Sequence, residues 1–291
     1  MAVFIFCSCN RKTAISMSHN QSYLDTRGNP MLLGVHTKAD LQELPYKEWF
    51  DKNYNDYSVD NTAIALIQPL IKHKQFEIFM GTWCGDSKRE VPRMYKILED
   101  AGVQPSQIKL IMVDNHDSAY KQSPGHEEKG KQIHRVPDLL VYNGKKEMNR
   151  IVESPVLSLE KDLLAILKTN TYQPNYKGAS WLLHFSEEKN AATIMNDKAN
   201  TIAALQPLIR QSSELNSLGY MWMHAGATDK ALMAFELNAL LYPDDANVYD
   251  SLGEINAKLD KKEEARKYYK KVLEIQPGNE NAVKMLEKLK Y

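Results

Sequence analysis

The stretch FMGTWCGDSKREVP (residues 79–92) changes from an apolar run to a polar, helix-like pattern at one cysteine, Cys84. The apolar run predicts the end of a buried strand, and the residues after the cysteine predict a helix. A thiol at the start of a helix faces unpaired backbone N–H groups and the positive end of the helix dipole, and both stabilise the thiolate form. Ser87 is placed to donate a hydrogen bond to the sulfur. We therefore expect Cys84 to be more reactive than a free thiol.

Charged side chains follow this cysteine closely. The carboxylate of Asp86 repels a thiolate, whereas Lys88 and Arg89 partly offset that repulsion. We expect all three side chains to be exposed, so that dissolved salt weakens their effect on the thiol. The balance still favours the thiolate modestly.

Length and charge limit the kind of protein this can be. The chain has 291 residues, enough for two domains with a sizeable core in each. Its 37 lysines and arginines equal its 37 aspartates and glutamates, so no net field attracts nucleic acid or an anionic membrane. We therefore expect no nucleic-acid partner. Three cysteines cannot form a disulfide framework, and no motif implies a cofactor or a metal site.

The first 20 residues differ in character from the rest. MAVFIFCSCNRKT (residues 1–13) is a short apolar run followed by two cysteines and a basic stretch. It is too short to cross a bilayer, which takes about 20 apolar residues. It does resemble the end of a bacterial lipoprotein signal, with Ser8 before Cys9. We expect residues 1–20 to be a signal remnant or a tether, with a lipid on Cys9 attaching the protein to a membrane of the cell envelope. The alternative is a disordered N-terminus of a cytoplasmic protein.

Residues 36–170 have the pattern of an α/β domain, after a linker at 21–35 in which MLLGV (residues 31–35) is a possible short first strand. Asn143-Gly144 separates two strand-like runs and predicts a hairpin, because this pair suits a tight turn with positive φ. Ser158 is a predicted helix cap. The other predicted elements are helices within 45–57, within 61–73 and after Cys84, and buried strands at 75–81 and 108–114.

This part of the chain resembles the thioredoxin family. Trp83-Cys84-Gly85 matches the family's active-site entry, and Pro92 stands where the family has a helix-kinking proline. QIHRVPDLLVYNGKK (residues 132–146) matches the segment that carries its cis-proline, the next strand and the hairpin. The resemblance implies a thioredoxin-like α/β domain, a central mixed sheet flanked by helices, with a cis-proline that leaves backbone groups free for an incoming peptide. It implies Cys84 as nucleophile and a substrate-binding wall of Trp83, Gly85, Asp86, Val136 and Pro137.

Two residues differ from the family pattern, and both differences affect the step in which a bound substrate is released. Ser87 stands where dithiol relatives have the resolving cysteine, which releases a bound substrate as an internal disulfide. Ile78 stands where they often have a buried acid, and Glu77 should point to the other face of the strand. Both departures predict a monothiol protein that forms mixed disulfides with, or isomerises, cysteine-containing proteins. The alternative is a binding adaptor in which Cys84 has no catalytic role, so whether the chain is an enzyme stays open.

After a linker at 171–178 and a segment at 179–211 that we expect to be helical, the chain repeats itself every 34 residues. Leu218-Gly219 aligns with Leu252-Gly253, and Phe235 aligns with Tyr269. Such small and aromatic landmarks resemble the tetratricopeptide repeat, which implies protein–protein contact. The repeats are 212–245 and 246–279, followed in the unit 212–291 by a capping helix with Val283, Leu286 and Leu289 facing inward. We expect the repeats to recruit protein partners; a structural role in dimerisation or spacing is the alternative.

Overall fold

The computed structural model describes residues 23–169 and 171–289. Cys9 and the predicted tether at 1–20 lie outside the described residues, so lipid attachment stays a prediction. The described chain has an N-terminal part built around a mixed sheet and a C-terminal part that is helical from Lys177 onwards. None of the described helices is both long and apolar enough to cross a membrane.

The strands form two sheets. A short antiparallel pair joins β1 (Tyr23–Leu24) to β2 (Pro30–Met31). The main sheet has five strands in the order β3-β5-β4-β6-β7. Only its β4–β5 pairing is parallel, which makes the sheet mixed. Its strands are β3 (Gly34–His36), β4 (Lys74–Met80), β5 (Ile108–Met112), β6 (Asp138–Asn143) and β7 (Lys146–Val152).

The possible first strand at 31–35 is wrong as a single element. β2 ends at Met31 and pairs with β1, whereas β3 begins at Gly34 and pairs with β5. Gly34 has φ +87°, a conformation outside the extended region that glycine adopts without steric cost. The chain therefore turns away from β1 and β2 at this residue.

Helices cover one face of the main sheet. Phe76, Ile78 and Met80 of β4 lie in the core that these helices share. The longest helix, α4, has 16 residues and follows directly after Cys84. The helices of this part are α1 (Lys38–Leu41), α2 (Lys47–Asn55), α3 (Asn61–Ile67), α4 (Gly85–Asp100) and α5 (Leu159–Lys168).

The opposite face of the sheet is covered differently. Phe79 packs there with Ile133 and Val136, which belong to the segment 113–137. This segment consists of turns and bends, without a helix or a strand, and is described throughout. Glu77 is on the same side of β4 as Phe79 and forms an ion pair with Lys131, so the prediction that it points away from Ile78 is confirmed.

Local signals placed the hairpin and the last helix of this part. The hairpin of β6 and β7 forms as predicted, but its two turn residues are Gly144 and Lys145, because Asn143 still pairs with Lys146. Gly144 has φ +60°, whereas Asn143 stays in the strand. The side chain of Ser158 accepts a hydrogen bond from the amide of Lys161 at the start of α5, at 3.2 Å, so the predicted cap is confirmed.

The C-terminal part consists of eight helices within residues 171–289. The segment predicted as helical at 179–211 contains the first three, and α6 begins two residues before it, inside the predicted linker. The helices are α6 (Lys177–Glu188), α7 (Ala191–Asn196), α8 (Lys198–Leu205), α9 (Ser213–His224), α10 (Thr228–Leu241), α11 (Ala246–Lys258), α12 (Lys262–Ile275) and α13 (Glu280–Lys288).

Each predicted repeat is a packed helix pair. A Cβ atom at Gly219 would lie 2.4 Å from the ring of Phe235, and one at Gly253 would lie 2.7 Å from the ring of Tyr269. Both rings are buried, so the glycines permit the close approach of α9 to α10 and of α11 to α12. The small and aromatic landmarks of the repeat therefore contact each other directly.

The capping helix is present as α13, but its predicted inward face is wrong in one residue. Ala282 and Leu289 are buried and Leu286 is half-buried, whereas Val283 is 41 % exposed. Successive residues are about 100° apart around a helix, so the face that contains Ala282 turns Val283 outward.

Candidate functional site

Cys84 is the N-cap residue of α4. Its backbone is extended, with φ −89° and ψ 126°, and its carbonyl accepts the first hydrogen bond of the helix from the amide of Lys88 at 3.0 Å. The side chain is half-buried, and no disulfide joins it to another residue in the described part of the chain. The thiol therefore lies at the positive end of a 16-residue helix, with part of its surface open to solvent.

The sulfur has a hydrogen-bond partner that the sequence did not indicate. Sγ of Cys84 donates to the carbonyl oxygen of Val136 at 3.3 Å. The Val136–Pro137 peptide bond is cis, as the resemblance implied, and both residues are buried. The expectation that the Val136 backbone is free for an incoming peptide is therefore wrong for its carbonyl, because the protonated thiol occupies that acceptor.

Ser87 lies in the first turn of α4 and is fully buried. Its hydroxyl oxygen accepts a hydrogen bond from the amide of Gly81 at 3.3 Å, and no hydrogen bond joins it to the Cys84 sulfur within the described chain. The structure thus places Ser87 next to the strand end that precedes Cys84. Its role as a donor to the thiolate stays a prediction.

The predicted wall around the thiol is partly open. Trp83 is half-buried, and its indole Nε1 donates to the carbonyl of Val113 at 2.8 Å, which fixes the ring against the end of β5. Gly85 is exposed. Asp86 pairs with Arg89 at 2.7 Å, so these two charges largely offset each other near the thiol.

A buried acid follows the cis-proline. Asp138 is fully buried and pairs with Arg150 at 2.9 Å. Burial raises the pKa of Asp138 to about 7, although the guanidinium of Arg150 opposes the rise. The residue stands at the start of the apolar run DLLVY, and a charge in that position was the signal that sequence reasoning overlooked.

Lys121 is the second residue that the sequence did not single out. Only 5 % of it is exposed, and its ammonium donates to the hydroxyl of Tyr120 at 2.7 Å. Burial lowers the pKa of Lys121 to about 7, and the charge of Arg135 lowers it further. The Cys84 thiolate and the Glu153 carboxylate act in the opposite direction. A lysine in a polar loop is normally exposed, so no sequence signal marked this one.

The loop that carries Lys121 packs against the first helix of the repeats. The ring centroid of Tyr120 is 5.4 Å from that of His224 and 6.4 Å from that of Tyr220. Nε2 of Gln122 donates to the carbonyl of His224 at 3.0 Å. Helix α9 therefore touches the same loop that surrounds the thiol site.

A second contact joins the segment before Pro137 to the same helix. Nη2 of Arg135 donates to the carbonyl and to Oγ of Ser213, at 2.8 and 3.0 Å. Its Nη1 pairs with Glu153 at 3.1 Å. Ser213, Tyr220 and His224 are seven and four residues apart, so they lie along one side of α9.

Two clefts border these contacts. One of about 340 Å³ lies between α9 and the loop that includes Lys121 and Ile133. Another of about 660 Å³ lies between β7 and α6 and is bordered by His134, Arg150 and Trp181. Across residues 23–169 and 171–289, no cluster of three or more histidine, cysteine or acidic side chains is arranged to hold a metal ion.

Comparison with protein-family models identifies one repeat in the chain. A family model of the tetratricopeptide repeat matches residues 246–279, the helix pair α11–α12. No thioredoxin-family model matches the chain. No curated protein matches it. The repeat supports a role in protein–protein interaction.

Proposed function

We propose that the protein is a monothiol member of the thioredoxin-like proteins that exchanges disulfides with cysteine-containing proteins. The observation that carries the proposal is the position of Cys84, a free cysteine at the N-cap position of α4 whose half-exposed thiol contacts the residue before Pro137. The strand order with a single parallel pair and the β6–β7 hairpin also agree with the fold that the resemblance implies.

The proposed reaction begins when the Cys84 thiolate attacks one sulfur of a substrate disulfide. A bond forms between Cys84 and that sulfur, and the other substrate sulfur leaves as a thiolate. A second thiolate of the substrate then attacks the mixed disulfide and releases Cys84 as a thiolate. The substrate ends with a different disulfide, and neither oxidant nor reductant is consumed.

The surroundings of Cys84 fit the first half of this cycle. Ser87 has no sulfur, so Cys84 cannot be released by an internal disulfide at this position. Trp83, Gly85 and Asp86 form the open side next to the thiol, and Val136 and Pro137 form the closed side. A substrate peptide would pair with the Val136 backbone after the thiol has ionised and its hydrogen bond has been lost.

In this proposal the helical repeats bind the partner protein, and the N-terminal residues attach the protein to a membrane. The matched repeat at 246–279 would recruit the substrate protein next to the thiol. A lipid on Cys9 would hold the protein at a membrane of the cell envelope, where substrates with disulfides occur.

A binding adaptor is the second candidate function, and the match to a tetratricopeptide repeat favours it. In that case the repeats hold a partner, and the hydrogen bond from Cys84 to Val136 is a structural contact of a resting thiol. The two functions differ in whether partners depend on the sulfur.

A trapping experiment separates the two candidates. The full chain is incubated with envelope extract, quenched with acid and run on non-reducing gels. Two variants are run beside it, Cys84→Ala and Asp250→Lys, the second of which reverses a half-buried charge on α11 of the matched repeat. Exchange predicts disulfide-linked partners that are lost in Cys84→Ala. Partners that persist in Cys84→Ala and are lost in Asp250→Lys would favour the adaptor. Substitution is preferable to removing the repeats, because α9 contacts the segment 113–137, which includes Val136 next to the thiol.

A further inference from the structure

Lys121 is buried, and it forms no ion pair with a carboxylate among the described residues. Lysines are almost never fully buried unless they are paired. The ammonium of Lys121 donates to Tyr120, and the nearby carboxylate of Glu153 pairs with Arg135 instead. Among the ion pairs of residues 23–169 and 171–289, none includes Lys121. Its ammonium lies 4.1 Å from the centroid of the Tyr120 ring, so an aromatic side chain and not a carboxylate is its partner.

The backbone brings Lys121 to the same strand end as the thiol. The indole of Trp83, next to Cys84, donates to the carbonyl of Val113 at 2.8 Å. The next residue, Asp114, accepts a hydrogen bond from the amide of Lys121 at 2.9 Å. Trp83 and Lys121 are therefore attached to consecutive residues at the end of β5.

The charges of the two groups are complementary. The charge of a Cys84 thiolate raises the pKa of Lys121, so the two charges attract each other. The carbonyl of Val136 acts in the opposite sense, because it accepts a hydrogen bond only from the protonated thiol. A cation near the sulfur offsets this preference for the thiol form.

Other ionisable groups also face Lys121. Burial lowers its pKa to about 7, so the groups around it decide whether it carries a charge near neutral pH. They come from its own loop, the segment before Pro137, the residues after β7, the start of α4, and α9. These groups are Tyr120, His134, Arg135, Glu153, Cys84 and His224.

Helix α9 holds this loop in place. The ring of His224 packs against Tyr120, whose hydroxyl accepts the hydrogen bond from Lys121. The carbonyl of His224 also accepts from Gln122, the residue after Lys121. The position of the ammonium therefore depends on a helix of the repeats.

We propose that Lys121 is a positioning residue that stabilises the Cys84 thiolate, and that α9, by packing on the Tyr120–Gln122 loop, makes the first repeat part of the thiol site. The inference rests on the proposed disulfide exchange by Cys84, and it adds a way in which the reactivity of Cys84 is regulated. A partner that displaced the loop from α9 would lower the reactivity of Cys84. The repeats would then control the thiol as well as recruit substrate.

The test is the rate at which iodoacetamide alkylates Cys84 in the full chain between pH 5 and 9.5. The rate is followed on the Cys84 peptide by mass spectrometry, because Cys7 and Cys9 also react. Lys121→Met should slow alkylation at pH 6.5 about tenfold, and the rates should converge at high pH, where the thiol is ionised in every variant. Lys121→Arg, which keeps a charge, should restore the rate at pH 6.5.

The possible results distinguish a role of Lys121 in the reactivity of Cys84 from structural damage and from a failure of the proposed disulfide exchange. A profile of Lys121→Met that overlays the wild-type profile would overturn the role of Lys121, and a loss of rate at every pH would indicate structural damage and also overturn it. His224→Ala should shift the profile in the same direction by a smaller amount, and an unchanged profile would overturn the role of α9. Alkylation requires no protein substrate, so a failure of disulfide exchange would leave these results standing.

Discussion

The thiol of Cys84 donates a hydrogen bond to the carbonyl oxygen of Val136 over 3.3 Å. A thiolate has no proton to donate, so ionisation of the sulfur also frees the backbone acceptor that lies before Pro137. Activation of the nucleophile and opening of the adjacent peptide-binding position are therefore one event in the proposed mechanism.

Restoring a second cysteine should change the chemistry. Ser87→Cys is close in size to the native residue and places a thiol one turn into α4. We expect an internal disulfide with Cys84 under oxidising conditions, because the second thiol can attack any mixed disulfide. Mass spectrometry of the peptide pair should show the bond, and trapped partners should decrease. Two free thiols after oxidation would contradict the proposed position of residue 87.

Two adjacent tyrosines in the second repeat provide a test of how its two helices pack. Tyr269 is buried against Gly253, whereas Tyr268 is half-buried. We expect Tyr269→Ala to lower the free energy of unfolding by about 3–5 kcal/mol, as for large aromatic residues in cores. Tyr268→Ala should cost clearly less. Chemical denaturation of both variants measures the difference, and equal losses would contradict the packing of α11 on α12.

Acid should destabilise the protein through His134. Burial, together with the positive charges of Arg150 and Lys121, lowers the pKa of His134 from 6.5 to about 3. Below pH 6.5 the unfolded chain binds a proton on His134 that the folded chain does not bind. The free energy of unfolding therefore falls as the pH decreases below 6.5. At pH 5 this loss is about 2 kcal/mol.

A matched pair of variants isolates that effect. His134→Gln should remove this share of the decrease in unfolding free energy between pH 7 and pH 5. His184→Gln serves as the control, since His184 is largely exposed on α6. Denaturant unfolding at both pH values gives the difference. An identical pH dependence in His134→Gln and in the wild type would rule out a buried neutral His134.

Local chemistry predicted a large part of the fold. The β6–β7 hairpin and the Ser158 cap depend on residues close in sequence and form as expected, although the turn lies one residue later than predicted. The 34-residue spacing likewise identified the repeats, because Gly253 and Tyr269 recur at fixed positions within each unit. Strand and helix periodicity predicted β4 and β5 of the main sheet but not β3.

The site was less predictable because its contacts join distant parts of the chain. Nothing near Lys121 in sequence indicates burial, which depends on α9 about a hundred residues later; Gln122 and His224, for example, are 102 positions apart. The bond from Cys84 to Val136 spans 52 positions. Val283 was misassigned for a different reason, since a short amphipathic helix permits two neighbouring choices of inward face.

The most direct measurement of the central claim is the reactivation of scrambled ribonuclease, whose disulfides are mispaired. The full chain should restore ribonuclease activity in the presence of a trace of a small thiol, and Cys84→Ala should restore none above the background of that thiol. Both proteins should show the same melting behaviour, so that the difference reports the sulfur alone. Equal reactivation by the two proteins, or none by either, would contradict disulfide exchange through Cys84.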